Sequence, residues 1–356
     1  MFEDIRPYTD AEIPAAMQRI AAYPEFRVVC GYLFPDKPFD AVASLLTSCR
    51  TVDEFQVRFM VPVVESVMDK STDGVTAEGF GKLDPDRRYL FVSNHRDITL
   101  DATFFQVLLH RAGLRTSEIT FGANLMQGGL VVDFGKSNKM FRVERPTTVS
   151  SPREFLRCSM RLSEYIRWTL LEKRESIWIA QRNGRTKDGL DATDQGIIKM
   201  FSMAGDIEDL NIVPLAVSYE WEPCDVLKAA ELAALERDGH YEKRAGEDLH
   251  SILAGITQPK GRVHYTVCDP VTPGDLAPWK NLPLNAFCRE TANLIDRRLQ
   301  AGYRIWPNNR IAYDLLSPAA SGGYTEAEKA AFEAHLAAVP EHLRPTVLRI
   351  YAGPLS

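Results

Sequence analysis

From about residue 75 onward, short β-rich apolar runs alternate with helical stretches, and this alternation constrains the fold more than any other feature. The runs are "RYLFVSN", "EITFGAN", "KMFRVER", "SIWIAQ", "NIVPLAVSYE" and "RVHYTVCD". Between them stand helical patterns such as "LDATFFQVLLHRAG" and "PREFLRCSMRLSEYIRWTLLEKRE". Strands separated by helices cannot pair through hairpins, so they close into a mostly parallel sheet whose faces the helices cover. The expected class is α/β: a central, mostly parallel sheet flanked by helices, over 76–270.

Both ends of the chain read differently. In 10–70, "EIPAAMQRIAAY", "PFDAVASLLTSCR" and "VDEFQVRFMVPVVESVMDK" repeat apolar residues near every 3.6 positions, the spacing of one helix face. The cluster "RVVCGYLFPDKPF" between them is aromatic and broken by prolines. After 270 a Pro-rich connection, "DPVTPGDLAPWKNLP", leads into further helices. The expected organisation is a helical extension over 1–75, the α/β unit over 76–270 and a second helical extension over 271–356.

Six cysteines form no CxxC pair, which points to reduced thiols, a cytoplasmic compartment and no zinc or disulfide framework. The acidic start, "MFEDIRPYTDAEIP", has no apolar signal segment. No run approaches the roughly 18 apolar residues of a membrane span, so membrane contact is expected to be peripheral, at the inner face of the cytoplasmic membrane. Between Lys136 and Lys187 stand thirteen Lys/Arg and five Glu, a local +8 within a chain of net charge −6. Such a segment suits an anionic partner: a phosphate, an anionic lipid or a nucleic acid.

The stretch "SNHRDITLD", Ser93 to Asp101, follows the run "YLFV" directly. "HRD" and the later "DFG" (Asp133–Gly135) are both triplets of protein kinases. That chemistry also needs a metal-binding Asn five residues after the HRD aspartate, where Ala102 stands, and a glycine-rich nucleotide loop upstream, which is missing. Acyl transfer from a thioester to a hydroxyl asks for fewer parts. A histidine takes the hydroxyl proton, a carboxylate orients the ring, and cations hold an anionic substrate.

Four ordered blocks resemble the glycerolipid acyltransferase superfamily, which includes lysophosphatidate and glycerol-3-phosphate acyltransferases. They are "NHRDITLD", "NKMFRVER", "IAQRNGRTKDG" and "IVPLAVSYE", within about 80–225. The chain as a whole looks closest to a bacterial branch with an "NHRD…LD" block. The resemblance implies a His–Asp dyad with His95 as the base. The family's aspartate lies five residues after its histidine, where Leu100 stands here; Asp101 is one further on and is taken as the partner. Asp97 is the alternative carboxylate, and equally a cap for the helix that follows. The second block implies Arg145 as a phosphate ligand with Lys139 as a helper, while the strand period turns Arg142 the other way. The third implies substrate contacts from Arg182, Asn183, Gly184 and Arg185, with Lys187 nearby; Asn183 stands where the family usually has Glu. In the fourth, Pro214 is expected at an edge or bulge, because it offers no N–H to a central ladder; Ser218 and Tyr219 read as structural.

The function implied is transfer of a fatty acyl group, from acyl-CoA or acyl carrier protein, to a phosphate-bearing glycerolipid: a lysophospholipid or glycerol-3-phosphate. No metal, prosthetic group or nucleic acid is implied. The alternatives are a catalytically weak lipid-binding protein on the same fold and acyl transfer to a different lipid acceptor.

Overall fold

The computed structural model describes residues 1–126, 128–244, 246–317 and 322–356. The N-terminal region is helical: α1 (Ile13–Ala22), α2 (Pro24–Leu33), α3 (Phe39–Ser48), α4 (Val52–Phe55) and α5 (Val61–Ser71), with a π-helical turn, Gln56–Met60, between the last two. The apolar faces anticipated from the 3.6 spacing meet in a separate cluster around Ile13, Met17, Phe26, Leu46, Phe55 and Phe59. The aromatic segment "RVVCGYL" is the body of α2, and the chain breaks only at the prolines beyond it.

Seven strands form one sheet: β1 (Gly74–Glu78), β2 (Leu90–Ser93), β3 (Glu118–Gly122), β4 (Met140–Val143), β5 (Ile177–Ala180), β6 (Ile212–Tyr219) and β7 (Arg262–Val267). The spatial order is β1-β7-β6-β2-β5-β3-β4. Every neighbouring pair is parallel except β6 with β7. Six strands coincide with the apolar runs. β1, "GVTAE", has no such run, because it is an edge strand and four of its five residues are exposed.

The crossovers follow from the sequence alternation. Helix α6 (Leu100–Arg111) joins β2 to β3, α7 (Gly129–Ser137) joins β3 to β4, α8 (Pro152–Leu171) joins β4 to β5, and α9 (Gln195–Phe201) joins β5 to β6. Helices α10 (Asp225–Asp238) and α11 (Glu247–Thr257) are inserted between β6 and β7. Beyond the sheet lie α12 (Pro273–Leu276), α13 (Leu284–Gly302), α14 (Pro307–Leu316), α15 (Glu326–Ala338) and α16 (Arg344–Ala352).

Alternation within the strands builds two cores. In β2, Leu90 and Val92 face the layer of Leu162, Ile166 and Leu170 on α8 and Ile295 on α13. Phe91 faces the other way, onto Phe104 and Phe105 of α6. Both faces are covered, so the central strands carry near-continuous apolar residues; all eight positions of β6 are buried.

Pro214 is not at an edge. It lies in β6, opposite Val92 of β2 and inside the sheet. Its carbonyl accepts from Cys268 N (3.0 Å), so its missing N–H faces the point where β7 has already ended. The ladder loses no bond there, which is why a central strand tolerates the proline.

Candidate active site

In a parallel sheet with covered faces, the loops at the strand C-termini are where side chains converge. His95 lies two residues beyond the end of β2, and Asp101 lies in the first turn of α6. The six-residue separation is spanned by one turn of chain, and His95 Nδ1 stands 2.8 Å from Asp101 Oδ2. Asp101 is fully buried, whereas His95 keeps a small exposed edge. The same Oδ2 accepts from the backbone N–H of Arg96 (2.6 Å) and of Asp97 (2.9 Å), while Oδ1 accepts from the Tyr219 hydroxyl (2.7 Å). An ionised carboxylate only accepts, so the proton between the pair sits on Nδ1, and Nε2 is left as the free basic nitrogen. The Trp178 indole of β5 packs edge-on against the imidazole, with ring centroids 5.6 Å apart.

Asp97 does something different. Its Oδ1 accepts from the backbone N–H of Thr99 (2.9 Å) and Leu100 (2.8 Å), closing the N-terminus of α6. The structure therefore pairs Asp101 with His95 and puts Asp97 on the helix end, where free N–H groups need acceptors.

The third block is tied to the first through its backbone. Gln181 N donates to Ser93 O (2.7 Å) and Thr186 N to His95 O (2.6 Å). Between these anchors the chain turns at Gly184, whose φ of +77° suits a residue without Cβ. Asp191 completes the link. It accepts from Thr186 Oγ1 (2.8 Å), Asn94 Nδ2 (2.9 Å) and Arg96 Nη2 (2.6 Å). Arg96, whose side chain is 1% exposed, also pairs with Glu222, and Lys228 donates to both Glu222 and the Arg96 carbonyl. Burial works against the Arg96 charge, but the Asp191 and Glu222 carboxylates outweigh it and hold its pKa up. The sequence reading left Asn94, Arg96, Asp191 and Tyr219 without a role in the site; their partners are distant in the chain.

His95 opens onto a cleft of ≈ 1570 Å³ that is also lined by Arg145, Arg182, Asn183, Gly184 and Arg185. Neither Arg145 nor Arg182 forms an ion pair among the described residues. Burial pulls the Arg145 guanidinium below its ordinary range, with the Asp248 carboxylate acting in the opposite direction. Arg185 is buried and donates to Ser251 Oγ of α11 (3.0 Å). Asn183 is exposed at the turn. Lys187 lines the cleft too, but it is paired with Glu231 of α10. Arg142 is exposed and held by Glu144 at 2.6 Å, and, contrary to the strand-period expectation, it lines the cleft as Arg145 does, because the cleft extends past the end of β4 where Glu144 holds the guanidinium.

Lys139 is not brought to the cleft. It precedes β4, so the parallel sheet puts it at the opposite edge from His95, where its ammonium pairs with Glu175 (3.1 Å). Among the described residues, no group of three or more His, Cys, Asp or Glu is arranged to hold a metal ion.

A histidine oriented by a buried carboxylate, facing a large cleft with unpaired arginines, has the parts for base-assisted group transfer to or from an anionic substrate. Residues 74–218 match the family model described as Acyltransferase. No curated protein matches the sequence. Among solved structures, the chain is similar to the 1-acyl-sn-glycerophosphate (LPA) acyltransferase PlsC from Thermotoga maritima, at 15% identity and a TM-score of 0.40, over 82% of this chain and 96% of that one.

Proposed function

We propose that the protein moves a fatty acyl group from a thioester donor, acyl-CoA or acyl carrier protein, to a hydroxyl of a phosphate-bearing glycerolipid acceptor, lysophosphatidate or glycerol-3-phosphate. In this reading His95 Nε2 accepts the hydroxyl proton as the oxygen attacks the thioester carbonyl. Asp101 holds the ring and stabilises the imidazolium that forms. The tetrahedral intermediate then collapses, the C–S bond breaks, and the imidazolium proton passes to the leaving thiolate. Arg145, Arg182 and Arg185 hold the acceptor's phosphate, since a guanidinium matches phosphate oxygens with paired donors; Asn183 and Gly184 border the same anion. The observation that carries the reading is the 2.8 Å His95–Asp101 contact opening on a cleft with unpaired arginines.

The helices before 75 and after 270 are read as extensions flanking the catalytic unit. No helix among the described residues is long and apolar enough to cross a membrane. On α2, Val28 is 75% and Tyr32 55% exposed, with Val29 beside them. The reading assigns this face to peripheral contact with the membrane that supplies the lipid, at the inner face of the cytoplasmic membrane.

The test is a transfer assay. Labelled acyl-CoA and labelled acyl-acyl carrier protein are each incubated with lysophosphatidate, glycerol-3-phosphate and non-phosphorylated lipid acceptors, using wild type and His95→Ala. Label in a phosphorylated product, lost in His95→Ala by a factor of ~10²–10⁴, is the expected result. Label only in non-phosphorylated products would transfer the arginines to another role, and no label anywhere would favour a lipid-binding protein.

A further inference from the structure

We infer that Tyr219 is a positioning residue for the proposed base: its hydroxyl fixes the Asp101 carboxylate and sets how strongly that carboxylate holds the His95 imidazolium. The inference rests on the reading of His95 as the base.

The geometry is asymmetric about the carboxylate. Oδ2 takes three donors, His95 Nδ1 and the N–H groups of Arg96 and Asp97, all from the same loop. Oδ1 takes the Tyr219 hydroxyl, 118 residues away in the chain. The loop alone would leave one oxygen buried without a donor, which is costly for a charged group. Tyr219 supplies that donor from the last residue of β6, and β6 is itself clamped to the loop. Two residues earlier, Val217 N donates to Asn94 Oδ1 (2.8 Å), and Val217 O accepts from Asn94 Nδ2 (2.9 Å). The strand therefore carries the phenol to the carboxylate and the loop to the strand.

Tyr219 is 1% exposed and cannot be a surface contact for substrate. Burial, and then the Asp101 charge, push its pKa well above the ordinary tyrosine value, so it remains a neutral donor. The other titratable groups around the cluster are Asp97 in the loop, Tyr265 of β7 and Tyr303 after α13. Tyr265 donates to the Asp101 carbonyl (3.0 Å), not to its carboxylate, and its hydroxyl also meets that of Tyr219.

Removing the phenol proton donor concentrates charge on Asp101, which favours imidazolium over imidazole. In Tyr219→Phe the acid limb of the kcat/KM–pH profile should move upward by about one pH unit. The His95 ring titration followed by NMR in the free enzyme should move the same way. A 3-fluorotyrosine at 219 is a stronger donor and should move the limb downward, which keeps the inference testable if Tyr219→Phe folds poorly. An unmoved limb in Tyr219→Phe, or a rate loss without a shift, overturns the inference. So does an unmoved or upward limb with 3-fluorotyrosine. If His95→Ala keeps wild-type turnover, the base reading fails and this inference falls with it. If His95→Ala is inactive and Tyr219→Phe unchanged, this inference alone fails.

Discussion

Replacing Asp101 by Asn separates orientation from charge. The amide can keep its oxygen where Oδ2 now sits, accepting from His95 Nδ1, Arg96 N and Asp97 N. Its NH₂ then points at the Tyr219 hydroxyl, which can rotate to accept. The reverse placement would set an amide N–H against three donors, so the first is favoured. His95 keeps its tautomer, and what disappears is the negative charge beside the imidazolium. Two unit charges about 4 Å apart interact by about 4 kcal/mol at an effective dielectric constant near 20. At about 1.4 kcal/mol per decade, that corresponds to a rate loss of roughly 10³-fold. The assay is kcat for acyl transfer together with the chemical unfolding midpoint, which should fall only modestly because the three donors on Oδ2 keep their acceptor and the Tyr219 hydroxyl proton alone loses its own. Turnover within about threefold of wild type would refute the reasoning, since the carboxylate charge would then contribute nothing to the step.

Other expectations use different parts of the structure. Asp97→Asn should be mild, because Asn caps a helix as well as Asp, whereas Asp97→Ala should lower stability by about 1–2 kcal/mol, read from denaturant unfolding. Arg145→Ala should raise the acceptor's apparent KM about 10- to 100-fold with little change for the donor, as expected for loss of a charge-assisted phosphate contact; equal changes for both substrates would argue otherwise. Lys260 is fully buried, with its ammonium bonded to Gln258 O, and burial lowers its pKa from 10.5 to about 8 against the opposing pull of Asp97. The folded state binds fewer protons than the unfolded one between those values, so this lysine's penalty is greatest below about pH 8 and fades as pH rises toward 10.5. Lys260→Met should therefore be more stable than wild type at pH 7, by about 2 kcal/mol after allowing for the lost hydrogen bond, and the gap should shrink at higher pH.

The sheet was legible in the sequence because central strands buried on both faces must be apolar at every position, and "YLFV" or "IVPLAV" carry that signature locally. Strand β1 was not, since an exposed edge imposes no such pattern. The pairing of His95 with Asp101 was also within reach, because the partners are six residues apart, one just past a strand end and the other in the first turn of the next helix. Other assignments depended on how distant segments meet. Lys139 shares a short block with Arg145, yet the residue entering a parallel strand and the residue leaving it belong to opposite edges of the sheet, so only Arg145 reaches the cleft. Pro214 was acceptable in a central strand only because β7 stops beside it. The donor on the second oxygen of Asp101 comes from β6, and the acceptor that joins the first and third blocks is Asp191, 97 residues from Asn94. Periodicity is a property of neighbouring residues, so it identifies strands and helices. The partners of a buried charge are set by strand order and register, and these exist only once the chain has folded.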